Sequence, residues 1–119
     1  MSKFVDKPWG SELIWTHTDR YVGKLITINA GARLSLQFHH HKDESIYIVE
    51  GTLNLHLESE SGEVEQIEMS PGEFARVPTG RIHRFEAITD TKLIEVSTPE
   101  LDDVVRLEDD YGREGTSEA

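Results

Sequence analysis

The sequence predicts an all-β protein whose short strands close into a small jelly-roll barrel, and three observations lead there. Turn signals recur at short intervals, at Ala30-Gly31, Glu50-Gly51, Ser61-Gly62, Pro71-Gly72, Pro78-Thr79-Gly80 and Thr89-Asp90. Between them lie runs rich in strand-forming residues, at 12–16, 22–29, 34–38, 45–49, 52–58, 64–69, 74–77, 83–88 and 92–97. These runs alternate rather than repeat at the helical period. Alternation is clearest at Leu53, Leu55 and Leu57 against Asn54, His56 and Glu58, so that strand buries one face and leaves His56 to solvent.

Length sets the domain count. A chain of 119 residues supports one hydrophobic core, because two would each be too small to offset their ordering entropy. We read residues 1–119 as one domain with its core at about 10–98, a C-terminal segment at 99–114 and a frayed polar tail at 115–119. Thr98-Pro99 has the form of an N-cap followed by proline at the first helical position, so the C-terminal segment is expected to open with a short helix or to run irregularly.

Composition narrows the chemistry. With no cysteine, thiolate sites and disulfides are excluded, and any metal site must be built from imidazole, carboxylate and amide. The formal net charge of -11 repels nucleic acid, and no segment resembles a leader or a membrane span, so a cytoplasmic location is expected. The same field opposes a phosphorylated small molecule. A pocket for one would need local cations to reverse the sign.

In residues 33–39 the two-residue period puts Leu34, Leu36 and Phe38 on one face and Arg33, Ser35, Gln37 and His39 on the other. Taken alone, this is an ordinary strand with a solvated polar face. The surrounding spacing points further. Gly31, five residues, Gln37, one residue, His39, four residues, Glu44, six residues and Gly51 form one pattern; Gly72, five residues, Pro78, one residue, Gly80, two residues and His83 form a second. Together they resemble the two motifs of the cupin superfamily, with Gln37 where the first motif has histidine and Ala87 where the second often has asparagine.

The resemblance implies that Gln37, His39, Glu44 and His83 hold one divalent metal ion. Their nitrogen and oxygen donors favour zinc, with manganese, cobalt, nickel or ferrous iron also compatible. His39 and His41 would offer a different pair on one strand face, but that choice leaves Gln37 unused and only two residues before Glu44. His40 and His41 are therefore read as rim residues.

Beyond these motifs the chain resembles the cupin domain of type II phosphomannose isomerases, the C-terminal part of bifunctional mannose-1-phosphate guanylyltransferase/isomerases. The resemblance rests on Lys7-Pro8-Trp9-Gly10-Ser11, on 31–37 leading to His39-His40-His41, on Val77-Pro78 with His83-Arg84, and on 93–96, 102–106 and 108–113. It implies a metal-dependent aldose–ketose isomerase, with mannose 6-phosphate and fructose 6-phosphate as first substrates. Because such an exchange moves a proton between adjacent carbons, it needs a base and an electrophile.

Arg33, expected on the face of Gln37, is the first candidate for contact with phosphate or an oxyanion, and Lys24 is the second. Glu95 and Glu12 are the candidate bases. Arg81 and Arg84 are read as surface charge. A metal cupin of another reaction class, such as an oxygenase, and a sugar-binding module without turnover remain open alternatives. The Leu34/Leu36/Phe38 face and the Phe4-Val5 and Trp9 segment are expected to support a homodimer, the N-terminal segment by exchange between subunits.

Overall fold

In the computed structural model, which describes residues 2–116, the alternating runs become twelve strands. These are β1 (Lys3–Lys7), β2 (Gly10–His17), β3 (Val22–Ile28), β4 (Leu36–Phe38), β5 (Glu44–Glu50), β6 (Leu53–Glu58), β7 (Val64–Met69), β8 (Phe74–Val77), β9 (His83–Ala87), β10 (Thr91–Ser97), β11 (Val105–Glu108) and β12 (Gly115–Thr116). They form two antiparallel six-stranded sheets, ordered β1-β2-β3-β10-β5-β8 and β12-β11-β4-β9-β6-β7. Spatial neighbours such as β3 and β10, or β4 and β9, are distant in sequence, so the chain passes repeatedly between the sheets and closes the jelly roll expected of it.

The alternating side chains meet between the sheets. Ile26, Ile28, Ile46, Ile48, Leu53, Leu55, Phe85 and Leu93 are buried there with Trp9, and each fully buried aliphatic side chain contributes on the order of 1.5–3 kcal/mol. Leu53 and Leu55 follow the predicted inward period, and Leu57 packs against the same core. This apolar layer fills one part of the barrel. The remaining interior is lined by charged residues and holds the site.

Two turns show why glycine was needed. Gly51, with φ of 82°, links β5 to β6, and a Cβ there would overlap the Asp90 carbonyl oxygen. Gly80, also at φ 82°, closes the Pro78-Thr79-Gly80 turn, and its N–H donates to the His39 carbonyl at 3.0 Å. That bond ties the turn before His83 to the segment carrying His39.

Several expectations are corrected. Among the described residues there is no helix after Thr98: residues 99–104 turn instead, and β11 pairs with β4. The local helix signal is overridden because Val104 and Arg106 are buried and the Asp103 carboxylate is committed to distant backbone N–H groups. The C-terminal segment thus folds back onto the barrel. Gly115 and Thr116, read as part of a frayed tail, pair with β11, and residues 117–119 lie outside those described.

Strand β4 is shorter than the predicted 34–38. Leu34 and Ser35 are both buried, which breaks the alternation: Leu34 turns into the core, while Leu36 and Phe38 are half-buried beside β11. Residues 3–7 pair with β2, and Trp9 packs into the core. His56 is largely enclosed and lies 2.9 Å from Glu86. Among the described residues no helix is long and apolar enough to cross a membrane.

Candidate functional site

Cross-strand register builds the site. On the inner face of one sheet, Arg106 of β11, Gln37 of β4, His83 of β9 and Leu57 of β6 stand in successive register. On the other, Lys24 of β3, Glu95 of β10 and Ile46 of β5 do the same. Glu44 opens β5, and His39 and Lys42 lie on the segment joining β4 to β5. Gln37, His39, Glu44 and His83 therefore line one cavity.

His39, Glu44 and His83 are buried, and a ligand atom from each lies within 4.8 Å of the others. The Nε2 atoms of His39 and His83 are 3.4 Å and 3.0 Å from the same Glu44 oxygen, Oε1. Each imidazole is oriented from behind: His39 Nδ1–H donates to the Asp103 carbonyl, and His83 Nδ1–H donates to the Arg81 carbonyl at 2.9 Å. Because a carbonyl only accepts, both rings keep their proton on Nδ1 and turn the Nε2 lone pair inward.

Gln37 Nε2 donates to the Ser35 carbonyl at 3.5 Å, and its amide oxygen is the atom it could offer an ion. Two neutral imidazoles, a carboxylate and an amide oxygen fit one divalent ion, and the fixed tautomers are those ligation requires.

Behind the triad lies a carboxylate pair bridged by lysine. Lys42 Nζ is 3.7 Å from Glu44 and 3.2 Å from Glu95, and all three side chains are buried. Burial alone would lower the Lys42 ammonium, but Glu95 and Glu44 hold it well above its usual range. Burial alone would raise Glu44, yet the Lys42 ammonium beside it holds that carboxyl well below the usual value. Burial and the neighbouring Glu44 anion push Glu95 up to about 7.

Glu12 behaves differently. Burial would raise it, but Lys24 at 2.6 Å and Lys7 at 3.5 Å keep it below its ordinary value. It is a counter-ion to two lysines, whereas Glu95 shares its lysine with a second carboxylate.

The structure places the other sequence candidates plainly. Lys24 lines the cavity, while Arg33 does not. Its guanidinium forks onto Asp110 at 2.6 Å and 2.9 Å on the outside of the barrel, since the break at Leu34-Ser35 takes it off the face of Gln37. Arg84 is buried rather than superficial, donating to the carbonyls of Leu34 and Glu108. Arg81 stays at the surface beside Glu60.

Sequence reasoning missed Lys42, Ser35, Lys7, Arg106 and Arg113, all of which line the cavity. It also missed the role of Asp103, whose carboxylate accepts the backbone N–H groups of His40, His41 and Lys42 at 3.0, 2.6 and 2.9 Å. The stretches 102–106 and 108–113 carried part of the family resemblance, and that was the available signal. Ser35 Oγ is buried in the lining without a hydrogen-bond partner among the described residues.

Comparison with known proteins follows the same lines. The chain is 38% identical over 118 residues to the mannose-1-phosphate guanylyltransferase ManC of Salmonella typhimurium, covering 95% of this chain and 24% of that protein. It is 33% identical over 114 residues to the alginate biosynthesis protein AlgA of Pseudomonas aeruginosa, covering 92% and 23%. The chain thus spans about a quarter of the length of these relatives. Among solved structures, oxalate decarboxylase from Bacillus subtilis superposes with a TM-score of 0.80 at 16% identity, over 89% of this chain and 30% of that one. The capsular polysaccharide assembling protein CapF from Staphylococcus aureus gives 0.74 at 21%, over 91% and 33%. These likenesses show the cupin fold. The sequence pattern described as mannose-6-phosphate isomerase C-terminal matches residues 1–109, and the chain therefore belongs to that family of cupin domains.

Proposed function

We propose that this cupin is a metal-dependent sugar-phosphate aldose–ketose isomerase, with mannose 6-phosphate and fructose 6-phosphate as its pair. The observation that supports this is the convergence, in one cavity, of the His39/Glu44/His83 triad with the Lys42–Glu95 pair and four further cations. Lys7, Lys24, Arg106 and Arg113 join Lys42 in the lining against Glu12, Glu44 and Glu95. The cavity is therefore locally positive on a chain of net charge -11, as an anionic sugar requires.

Gln37, His39, Glu44 and His83 would hold one divalent ion, zinc being favoured by the donor set. Bound there, such an ion supplies an electrophile for sugar oxygens. Glu95 is the base in this reading. It takes the proton from C2 of the aldose, the C–H electrons become the C1–C2 double bond of an enediolate, and the C1 carbonyl electrons pass to O1, which takes up the proton that O2 gives up. Return of the proton to C1, as the O2 electrons form the C2 carbonyl, gives the ketose. Lys42 holds Glu95 in place by its 3.2 Å ion pair.

The test is turnover of mannose 6-phosphate and fructose 6-phosphate by metal-loaded protein in deuterated water. Label should enter C2 of the aldose and C1 of the ketose. Glu95→Gln, which keeps the shape, should lower kcat about 10²- to 10⁴-fold at unchanged metal content. No turnover and no label exchange across a panel of hexose and pentose phosphates would defeat the proposal and favour binding without turnover.

A further inference from the structure

The backbone around Ser35 is fixed on both sides. The Leu34 N–H donates to the Phe85 carbonyl at 2.9 Å, the Leu34 carbonyl accepts from Arg84 Nε–H at 2.8 Å, and the Ser35 carbonyl accepts from the Gln37 amide at 3.5 Å. The break in alternation sends Leu34 into the apolar core and leaves Ser35 with Gln37 and His39 in the cavity lining.

The side chain held there is unmatched. Ser35 is 1% exposed, and its Oγ has no hydrogen-bond partner among the described residues. Ionic groups of the same cavity engage one another instead: Lys24 faces Glu12, and Lys42 faces Glu44 and Glu95. Alanine would fill the same space without stranding a hydroxyl, and an enclosed polar group without a partner is destabilising. Packing therefore does not account for serine at this position. Because a hydroxyl both donates and accepts, its natural complement is another small neutral polar group, and in a ligand cavity that description fits a sugar hydroxyl.

We infer that Ser35 Oγ hydrogen-bonds a hydroxyl of the bound sugar phosphate and so helps to select it, an assignment that rests on the isomerase reading for the class of ligand. O1 and O2 take part in the reaction itself, which leaves the hydroxyl at C3, C4 or C5 for Ser35. A fixed, enclosed hydroxyl discriminates strongly. An analogue that lacks the matching group, or turns it the other way, leaves Ser35 unpaired in the complex.

Calorimetry with the zinc-loaded full chain and mannitol 6-phosphate tests this, because the alditol carries the hydroxyls and the phosphate but no carbonyl and does not isomerise. Ser35→Ala should weaken binding about 10-fold. One of the 3-, 4- or 5-deoxy analogues should bind the parent chain about 10-fold more weakly, yet lose nothing further in Ser35→Ala. Ser35→Cys, which keeps the volume but is a weak donor, should fall nearly as far. Urea unfolding of the sugar-free protein should show Ser35→Ala at least as stable as the parent. No binding of the alditol, unchanged affinity in Ser35→Ala, or losses that add for every deoxy analogue would overturn the inference. So would a destabilised Ser35→Ala that binds normally, since the hydroxyl would then serve the fold through a buried water. Binding that depends on Ser35 without turnover of mannose 6-phosphate would support the contact and defeat the isomerase reading alone, whereas turnover with Ser35-independent binding would defeat the contact alone.

Discussion

Replacing Asp103 with asparagine should loosen the candidate metal site without touching a proposed ligand. The Asp103 carboxylate accepts three backbone N–H bonds from His40, His41 and Lys42, and its own carbonyl accepts from His39 Nδ1–H. Burial would raise this carboxyl, but the three N–H donors hold it at about 2 against an ordinary 3.8. That interval corresponds to at most about 2.5 kcal/mol of stability. Because the group is half-buried, solvent screening reduces the expected value to about 1–2 kcal/mol.

The sign follows from the depressed value. The contribution is complete above the unfolded-state value near 3.8 and is lost as pH falls toward 2. Urea unfolding of metal-free protein should show Asp103→Asn about 1–2 kcal/mol less stable at pH 7, with the gap narrowing by about half at pH 3. Competition with a chelator at pH 7 should show metal affinity about 10- to 100-fold weaker, since the His39 segment is less well held. A gap equal at both pH values, or unchanged metal affinity, would refute the reasoning.

Other outcomes follow from the same geometry. His83→Ala should remove most metal affinity and Gln37→Ala less, measured by equilibrium dialysis, because water replaces a neutral amide oxygen more readily than an oriented imidazole. Gly51→Ala should cost about 2–4 kcal/mol in chemical denaturation, since it combines a positive φ with overlap on the Asp90 carbonyl. Arg33→Ala should change stability by less than about 1 kcal/mol and leave metal binding intact, because its Asp110 pair lies outside the cavity. Truncation after Leu101 should abolish a cooperative thermal transition, as it removes β11, buried Val104 and the bonds that Asp103 makes.

The sequence by itself determined the all-β class, the order of the two cupin motifs and the set of four residues that meet in the cavity. The first two were legible because strand alternation is local and because Gly31, Gly51 and Gly80 stand at positive φ, where turns must fall; the four residues came from the family resemblance those motifs carry. Tertiary structure decided what depends on partners far along the chain. Arg33 was expected beside Gln37 by period-two counting, but consecutive burial of Leu34 and Ser35 breaks the period and sends Arg33 to Asp110, 77 residues away.

The helix signal at Thr98-Pro99 yielded to pairing between β11 and β4, and Asp103 found its donors more than 60 residues upstream. Glu12 and Glu95 could not be told apart as bases from sequence. Only the fold set Glu12 between two lysines and Glu95 beside another carboxylate, and a carboxyl's proton affinity is fixed by the charges that surround it in space.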